Sequence, residues 1–264
     1  IQDLSSTFPE TYSGGAGYLA RLEELERAGD IQGITVLQRE ALLANPLLDF
    51  EELLVVRRSD KSPSLGLPAN WQGNCSLPQG VYDNRIIALS MNDLNGRFRT
   101  VFRPRRDVYV GDLDLHFGAE RLLFTMPDEN QHWQVWEINI RGGELCRLTP
   151  NDDADVDNYD ACYLPDGRIV YASTACYAGI PCVFGGDKVA NLCVINPDGT
   201  GLRQLCFDQD HNWCPVVLHD GRIMYQRWEY ADLPHSNSRI LFTMNPDGTA
   251  QMEHYGSNSY WPNS

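Results

Sequence analysis

Two turn sequences recur in register along the second half of the chain, and they limit the fold more than any other feature. Tyr163-Leu164-Pro165-Asp166-Gly167-Arg168-Ile169-Val170-Tyr171 returns as Val217-Leu218-His219-Asp220-Gly221-Arg222-Ile223-Met224-Tyr225. Downstream, Asn196-Pro197-Asp198-Gly199-Thr200 returns as Asn245-Pro246-Asp247-Gly248-Thr249. An Asp-Gly step between runs of β-branched and aromatic residues signals a hairpin, because the turn needs a positive φ that glycine adopts without steric cost. Each repeat therefore reads as two hairpins in series, a four-stranded antiparallel blade. Residues 117–124 keep the rhythm with a degraded turn, and residues 138–148 align with 195–205. The arginine after the first turn falls at Arg121, Arg168 and Arg222, 47 and 54 residues apart. Four strands per period of roughly 40–50 residues is the pattern of a β-propeller. A plain antiparallel sandwich also uses Asp-Gly turns, but it does not repeat them in register.

Upstream, Ile86-Ile87-Ala88-Leu89-Ser90 and Phe98-Arg99-Thr100-Val101-Phe102 form a further hairpin across Asn95-Gly96, preceded by a buried strand at Leu53-Leu54-Val55-Val56. The expected fold is mainly β, a partial β-propeller with three to four four-stranded blades visible. Pro262-Asn263-Ser264 resembles the start of another blade, so the propeller is expected to be truncated at the C-terminus. A short N-terminal helical hairpin precedes it. Leu19, Leu22 and Leu25 stripe a first helix that ends at Gly29, and Ile34, Leu37, Ala41 and Leu42 stripe a second that Asn45-Pro46 stops. Two such helices cannot bury their own stripe and need a surface to pack on. Residues 1–14 read as frayed. The domains expected are 1–57, the helical hairpin and a linker strand, and 58–264, the blades; residues 58–80 form a long loop around Trp71.

The formal charge of −15 argues against nucleic acid, whose phosphates would be repelled. No apolar run reaches the ~18 residues of a membrane span. The eight cysteines include no C-x-x-C pair, hence no zinc knuckle, thioredoxin motif or c-type haem attachment. Their even number hints at an oxidising compartment. Cys146, Cys162 and Cys193 sit in strand-like runs and read as core. Cys176 and Cys182 bracket a tight loop and are the disulfide candidate.

Chemistry is expected on one face. The short Asp-Gly turns lie at one end of each blade, which sends every long connection to the other. These are the connections between blades, 149–158 and 206–212, and the loops after the second strands, 174–188 and 226–237, to which the extra length is confined. Insertions gathered on one face mark a binding face. It carries Asp152, Asp153, Asp155 and Asp157, then Asp208, Asp210, His211 and Trp213, then Trp228, Glu229, Tyr230, Asp232 and His235. Clustered carboxylates suit Ca²⁺, although no EF-hand spacing is present. Asp208, Asp210 and His211 are the candidate metal ligands, and Cys206, His211 and Cys214 offer a zinc alternative with Cys176 or Cys182. No G-x-S-x-G elbow or Ser-His-Asp set is present. Trp213, Trp228 and Tyr230 could stack on a ring but more commonly serve packing.

Asp157-Asn158-Tyr159-Asp160-Ala161-Cys162-Tyr163-Leu164-Pro165-Asp166-Gly167-Arg168 resembles the middle domain of hydrazine synthase alpha-subunit-related proteins. So do Leu205-Cys206-Phe207-Asp208-Gln209-Asp210-His211-Asn212-Trp213-Cys214-Pro215 and Tyr225-Gln226-Arg227-Trp228-Glu229-Tyr230. The phrase Asn-Pro-Asp-Gly-Thr is also similar to TolB-type and WD40-like blades. The resemblance implies a multi-blade propeller in a periplasmic or secreted bacterial protein, joined to other domains of a longer chain or to other subunits. Hydrazine synthase works at c-type haems, and this sequence has no attachment motif, so the activity is not carried over. The expectation is a scaffold or recognition module without an evident cofactor. The alternative is a metal-assisted hydrolase or lyase on the acidic face, using a divalent cation (Ca or Zn).

Overall fold

A computed structural model describes residues 1–63, 65, 73, 76–91, 97–150, 152–229 and 239–256, with Cys182 described by its backbone alone. The chain divides into two compact units, Ile1–Leu53 with Leu89–Arg97, and Leu54–Ala88 with Phe98–Ser264.

The first unit carries three helices, α1 (Gln2–Thr7), α2 (Gly15–Ala28) and α3 (Ile31–Leu43). Gly29 ends α2 at φ 67°, and the Asp30 side chain accepts the Gly33 N–H to start α3, so the Gly-Asp pair ends one helix and caps the next. Residues 2–7, expected to fray, are helical. The stripe on α3 is only partly as expected: Leu37 and Ala41 are buried, whereas Leu42 is 57% exposed. Tyr12 supplies part of the missing cover, buried itself, with its hydroxyl donating to the Ala41 carbonyl at 2.8 Å.

Fifteen strands among the described residues form four sheets. β1 (Glu52–Arg57), β2 (Arg85–Ser90) and β3 (Phe98–Phe102) make a three-stranded sheet, blade I. β4 (Gly111–Leu115), β5 (Arg121–Pro127), β6 (Trp133–Asn139) and β7 (Cys146–Arg147) follow as blade II. Blade III is β8 (Asn158–Tyr163), β9 (Ile169–Ser173), β10 (Asn191–Ile195) and β11 (Arg203–Gln204). Blade IV is β12 (Asn212–Val217), β13 (Ile223–Arg227), β14 (Ile240–Met244) and β15 (Met252–Tyr255). Blades II to IV are antiparallel meanders in sequence order, so the mainly-β propeller architecture holds, without a closed ring among the described residues. Gly167 and Gly221 lie in turns of different sheets, as the repeat requires. β1 is less buried than its composition implied, with Leu53 40% exposed.

The repeated turns share one hydrogen-bond plan. The Leu164 N–H donates to the Arg168 carbonyl and the Gly167 N–H to the Leu164 carbonyl; Leu218, Arg222 and Gly221 repeat this. Asn196, Thr200 and Gly199 do the same, as do Asn245, Thr249 and Gly248. In every case the glycine has φ of 81–88°. The aspartate before it accepts the N–H of the residue that follows the glycine at 2.9–3.1 Å, which is why the pair recurs as Asp-Gly. The degraded turn of blade II is one residue longer, and Ala119 takes the left-handed position at φ 52°.

Successive blades stack on their first strands: β8 packs against β4, β5 and β6, and β12 against β8, β9 and β10. The core follows this stacking, with Leu123, Val135, Tyr163, Tyr171 and Cys193 buried between blades II and III. Cys162 and Cys193 are core as expected, while Cys146 is exposed on the two-residue strand β7.

Candidate functional site

The long connections meet at one rim and are tied together there. In blade III the connection from blade II (residues 149–157) and the loop between β9 and β10 share a set of polar contacts. Asp157 is buried; its Oδ1 accepts the Trp133 N–H at 3.1 Å and its Oδ2 accepts Lys188 Nζ at 3.2 Å, while its own N–H donates to Thr174 Oγ1. Lys188 Nζ also donates to the Asp155 carbonyl at 2.6 Å. Tyr177 donates its hydroxyl to Asp153 at 2.5 Å. That bond, then the Asp155 N–H, holds the Asp153 carboxyl below the usual carboxylate range. Asp152, Asp153 and Asp155 remain exposed.

Blade IV repeats the arrangement around Arg227, which is 8% exposed. Its guanidinium donates to Asp208 Oδ2 at 2.8 Å, Asn212 Oδ1 at 2.9 Å and Gln251 Oε1 at 2.9 Å, with Glu229 Oε1 at 3.8 Å. Asn212 Nδ2 also donates to Asp208 Oδ2 and to Asn191 Oδ1, so the rims of blades III and IV share one network. His211 is fully buried. Its Nδ1 accepts the Ala190 N–H at 3.1 Å, and its ring stands edge-on to Trp213 with centroids 4.5 Å apart and lies 5.8 Å from Trp228. Trp213 and Trp228 are buried too, so the aromatic pair packs the rim's underside rather than facing solvent.

Of the residues expected on an open ligand face, Asp155 is exposed, Asp208, Asp210 and Glu229 are half-buried, and Asp157, His211, Trp213 and Trp228 are interior. Tyr230 and His235, with Asp232, lie outside the described residues. Asp208 is neutralised by Arg227, and the His211 Nδ1 lone pair is used by a backbone N–H. Among the described residues no group of three or more His, Cys, Asp or Glu could hold a metal ion. Cys176 Sγ donates to the Val189 carbonyl, and the side chain of Cys182, the other half of the expected disulfide, is not among those described.

Three positions whose shared place sequence reasoning did not find, Cys214 among them although it was named as a possible zinc ligand, stand out on the first strands. Each of β4, β8 and β12 has a bulge, between Gly111 and Asp114, Tyr159 and Cys162, and Trp213 and Val216. In each bulge one non-glycine residue takes a left-handed conformation: Asp112 at φ 52°, Asp160 at 57° and Cys214 at 54°. The Asp160 N–H donates to Thr125 Oγ1 of blade II, and its Oδ2 accepts the Cys214 N–H of blade IV. Burial, then the neighbouring Asp112 charge, pushes Asp160 up to about 7, against the Cys214 bonds that lower it. Burial, then Asp160, also raises the Cys214 thiol, which removes Cys214 as a ready thiolate ligand or nucleophile.

Two crevices open at the same rim, one beside the connection that enters blade II and one beside the connection that enters blade III. Both use equivalent parts: the connection entering a blade, the end of its second strand and the loop after it, its third strand, and the segment leading into its fourth. The first has Arg103, Arg105 and Arg106 on the connection over Met126, Trp136 and Leu145. The second has Asp152 and Asp153 on the connection over Ser173, Cys193 and Leu202. The face expected to be acidic therefore contains a basic sector.

No protein-family profile matches the chain, and no curated protein matches it. Solved structures do. Kuenenia stuttgartiensis hydrazine synthase is 13% identical with a TM-score of 0.59, covering 80% of this chain and 32% of that one. A puromycin-hydrolyzing peptidase of Mycobacterium tuberculosis is 10% identical with a TM-score of 0.53, covering 81% and 31%. TolB from Acinetobacter baumannii is 13% identical with a TM-score of 0.48, covering 65% and 37%. The chain thus spans less than two thirds of the length of each. At these identities the likeness to the first two is one of fold. No helix among the described residues is long and apolar enough to cross a membrane.

Proposed function

We propose that this chain is a non-catalytic set of propeller blades that serves a larger extracytoplasmic bacterial protein as a scaffold and recognition surface, with other domains or subunits as partners. The observation that carries this reading is the use made of the rim's polar groups. Asp157, Lys188, Asp208, His211, Asn212 and Arg227 join loop to loop and blade to blade, which stiffens a surface and engages each of these groups in structural contacts. Meanwhile the same long connections turn Tyr177, Phe184 and Phe207 outward, at 66%, 101% and 79% exposure. Rigidly presented aromatics are the residue class that anchors protein interfaces. Placement outside the cytoplasm rests on the sequence resemblance alone, because the six thiols described as free give the cysteine count no weight of its own.

The test is association in trans. The purified chain, the remaining segments of its polypeptide and a Phe184→Ser/Phe207→Ser variant are compared by sedimentation velocity. Complex formation that the variant weakens by about tenfold at unchanged melting temperature supports the reading. Turnover of ester, glycoside or uronate substrates that Asp210→Ala abolishes would replace it with the metal-assisted hydrolase or lyase.

A further inference from the structure

The arginine crevice has features the scaffold reading does not use. It encloses about 400 Å³, within the range of small-molecule sites. Its floor is apolar. The Trp136 indole N–H is already satisfied by the Met126 carbonyl at 2.8 Å, so the ring offers only apolar surface there, next to Met126 and Leu145. Its wall is Arg103-Pro104-Arg105-Arg106, three cations within four positions of a chain with a formal charge of −15. Two of the three are engaged: Arg103 pairs with Asp83 at 3.3 Å, and Arg106 donates to the Asp128 carbonyl at 2.7 Å, which fixes the wall to the facing loop. Arg105 is exposed and has no hydrogen bond or ion pair with the described residues. Asp128 also lines the crevice. It is 5% exposed; its Oδ1 accepts the Asn130 and His132 N–H groups, and its Oδ2 has no hydrogen-bond partner.

Solvated surface arginines would explain the wall alone. They do not explain why the equivalent crevice one blade on carries aspartates at the same place, since the fold demands neither charge. We propose that the arginine crevice binds a carboxylate borne on an apolar ring or chain, with Arg105 taking the carboxylate and the Trp136 floor taking the apolar body. A guanidinium fork matches a carboxylate in a bidentate manner. Glu129, on the facing loop, disfavours a dianion such as a phosphate monoester. The source is either a free small acid or the end of a polypeptide, and the two differ in the amide that a polypeptide end carries next to its carboxylate.

Calorimetric titration of the whole chain with N-acetyl-L-phenylalaninate, its neutral amide and 3-phenylpropionate tests this. The expected result is one saturable site at which N-acetyl-L-phenylalaninate binds about tenfold more tightly than the amide. Arg105→Gln should abolish that preference at unchanged melting temperature, and Asp153→Asn should leave it intact. Equal affinity of the two acids assigns a small acid, and loss of affinity only for 3-phenylpropionate assigns a polypeptide end. Equal binding of acid and amide, no saturation up to about 10 mM, or a preference that survives Arg105→Gln would overturn the proposal.

Discussion

The Asp160 carboxylate accepts the Cys214 backbone N–H at 2.5 Å, joining the first strands of two neighbouring blades through residues that both adopt a left-handed bulge conformation. An acid in that place cannot be electrically idle. Burial and Asp112 raise it to about 7, whereas an unfolded aspartate titrates near 3.9. Between those values the folded chain keeps a proton that the unfolded chain has lost, so stability falls as pH rises through that window. Wild-type melting temperature should drop by about 3 °C or more from pH 5 to pH 8. Asp160→Asn, which keeps a carbonyl acceptor for Cys214, should flatten the profile. A melting temperature that rises across the window in wild type, or an equal fall in the variant, refutes this.

Equivalent glycines should not cost the same to replace. Gly167 and Gly248 have φ of 88° and 84°, yet an added Cβ meets nothing within 4 Å at the first and the Leu205 carbonyl oxygen at 2.9 Å at the second. Gly167→Ala should cost about 1 kcal/mol from backbone strain, and Gly248→Ala roughly 2–3 kcal/mol. Urea unfolding of both variants decides it, and equal losses would mean that the Leu205 contact is unimportant.

Arg227 anchors one half of the rim from the interior. Arg227→Met leaves Asp208 without its cation and should cost about 3 kcal/mol. In a double-mutant cycle with Asp208→Asn, the coupling should exceed about 1 kcal/mol because the two groups share one network. Additive losses would show that the contact is incidental.

His211 should behave as a structural residue. Its replacement by alanine leaves the buried Ala190 N–H without an acceptor and opens space beside Trp213 and Trp228, a loss of roughly 3 kcal/mol. Chelator should leave the wild-type melting temperature within about 1 °C. A chelator-sensitive transition that disappears in His211→Ala would restore the metal reading.

The strand repeat was legible because a turn's chemistry is local. Asp166 and Gly167 specify their geometry within five residues, and so do Asp198 and Gly199. The helical hairpin was legible for the same reason at Gly29-Asp30. The site was less so. Asp157 and His211 look like ligands in a list of polar residues, and only the blade stacking reveals that Lys188, Trp133 and Ala190 already occupy them. Asp112, Asp160 and Cys214 share a place that no shared residue type marks, since a bulge is defined by pairing across strands. The Arg-Pro-Arg-Arg run was visible as sequence, but its floor comes from residues about 20 to 40 positions away, at Met126, Trp136 and Leu145.

The two crevices have a consequence for how a protein of this kind changes. Their floors lie mostly on strands that the core must keep, while their electrical sign comes from the short connector that enters the blade. Exchanging residues 103–107 for those at 150–155 would swap a cationic lip for an anionic one and leave the pairings within the four sheets untouched. If the crevices bind ligands as proposed, ligand choice is written on removable cassettes, and new specificities can be tried one crevice at a time on an unaltered chassis.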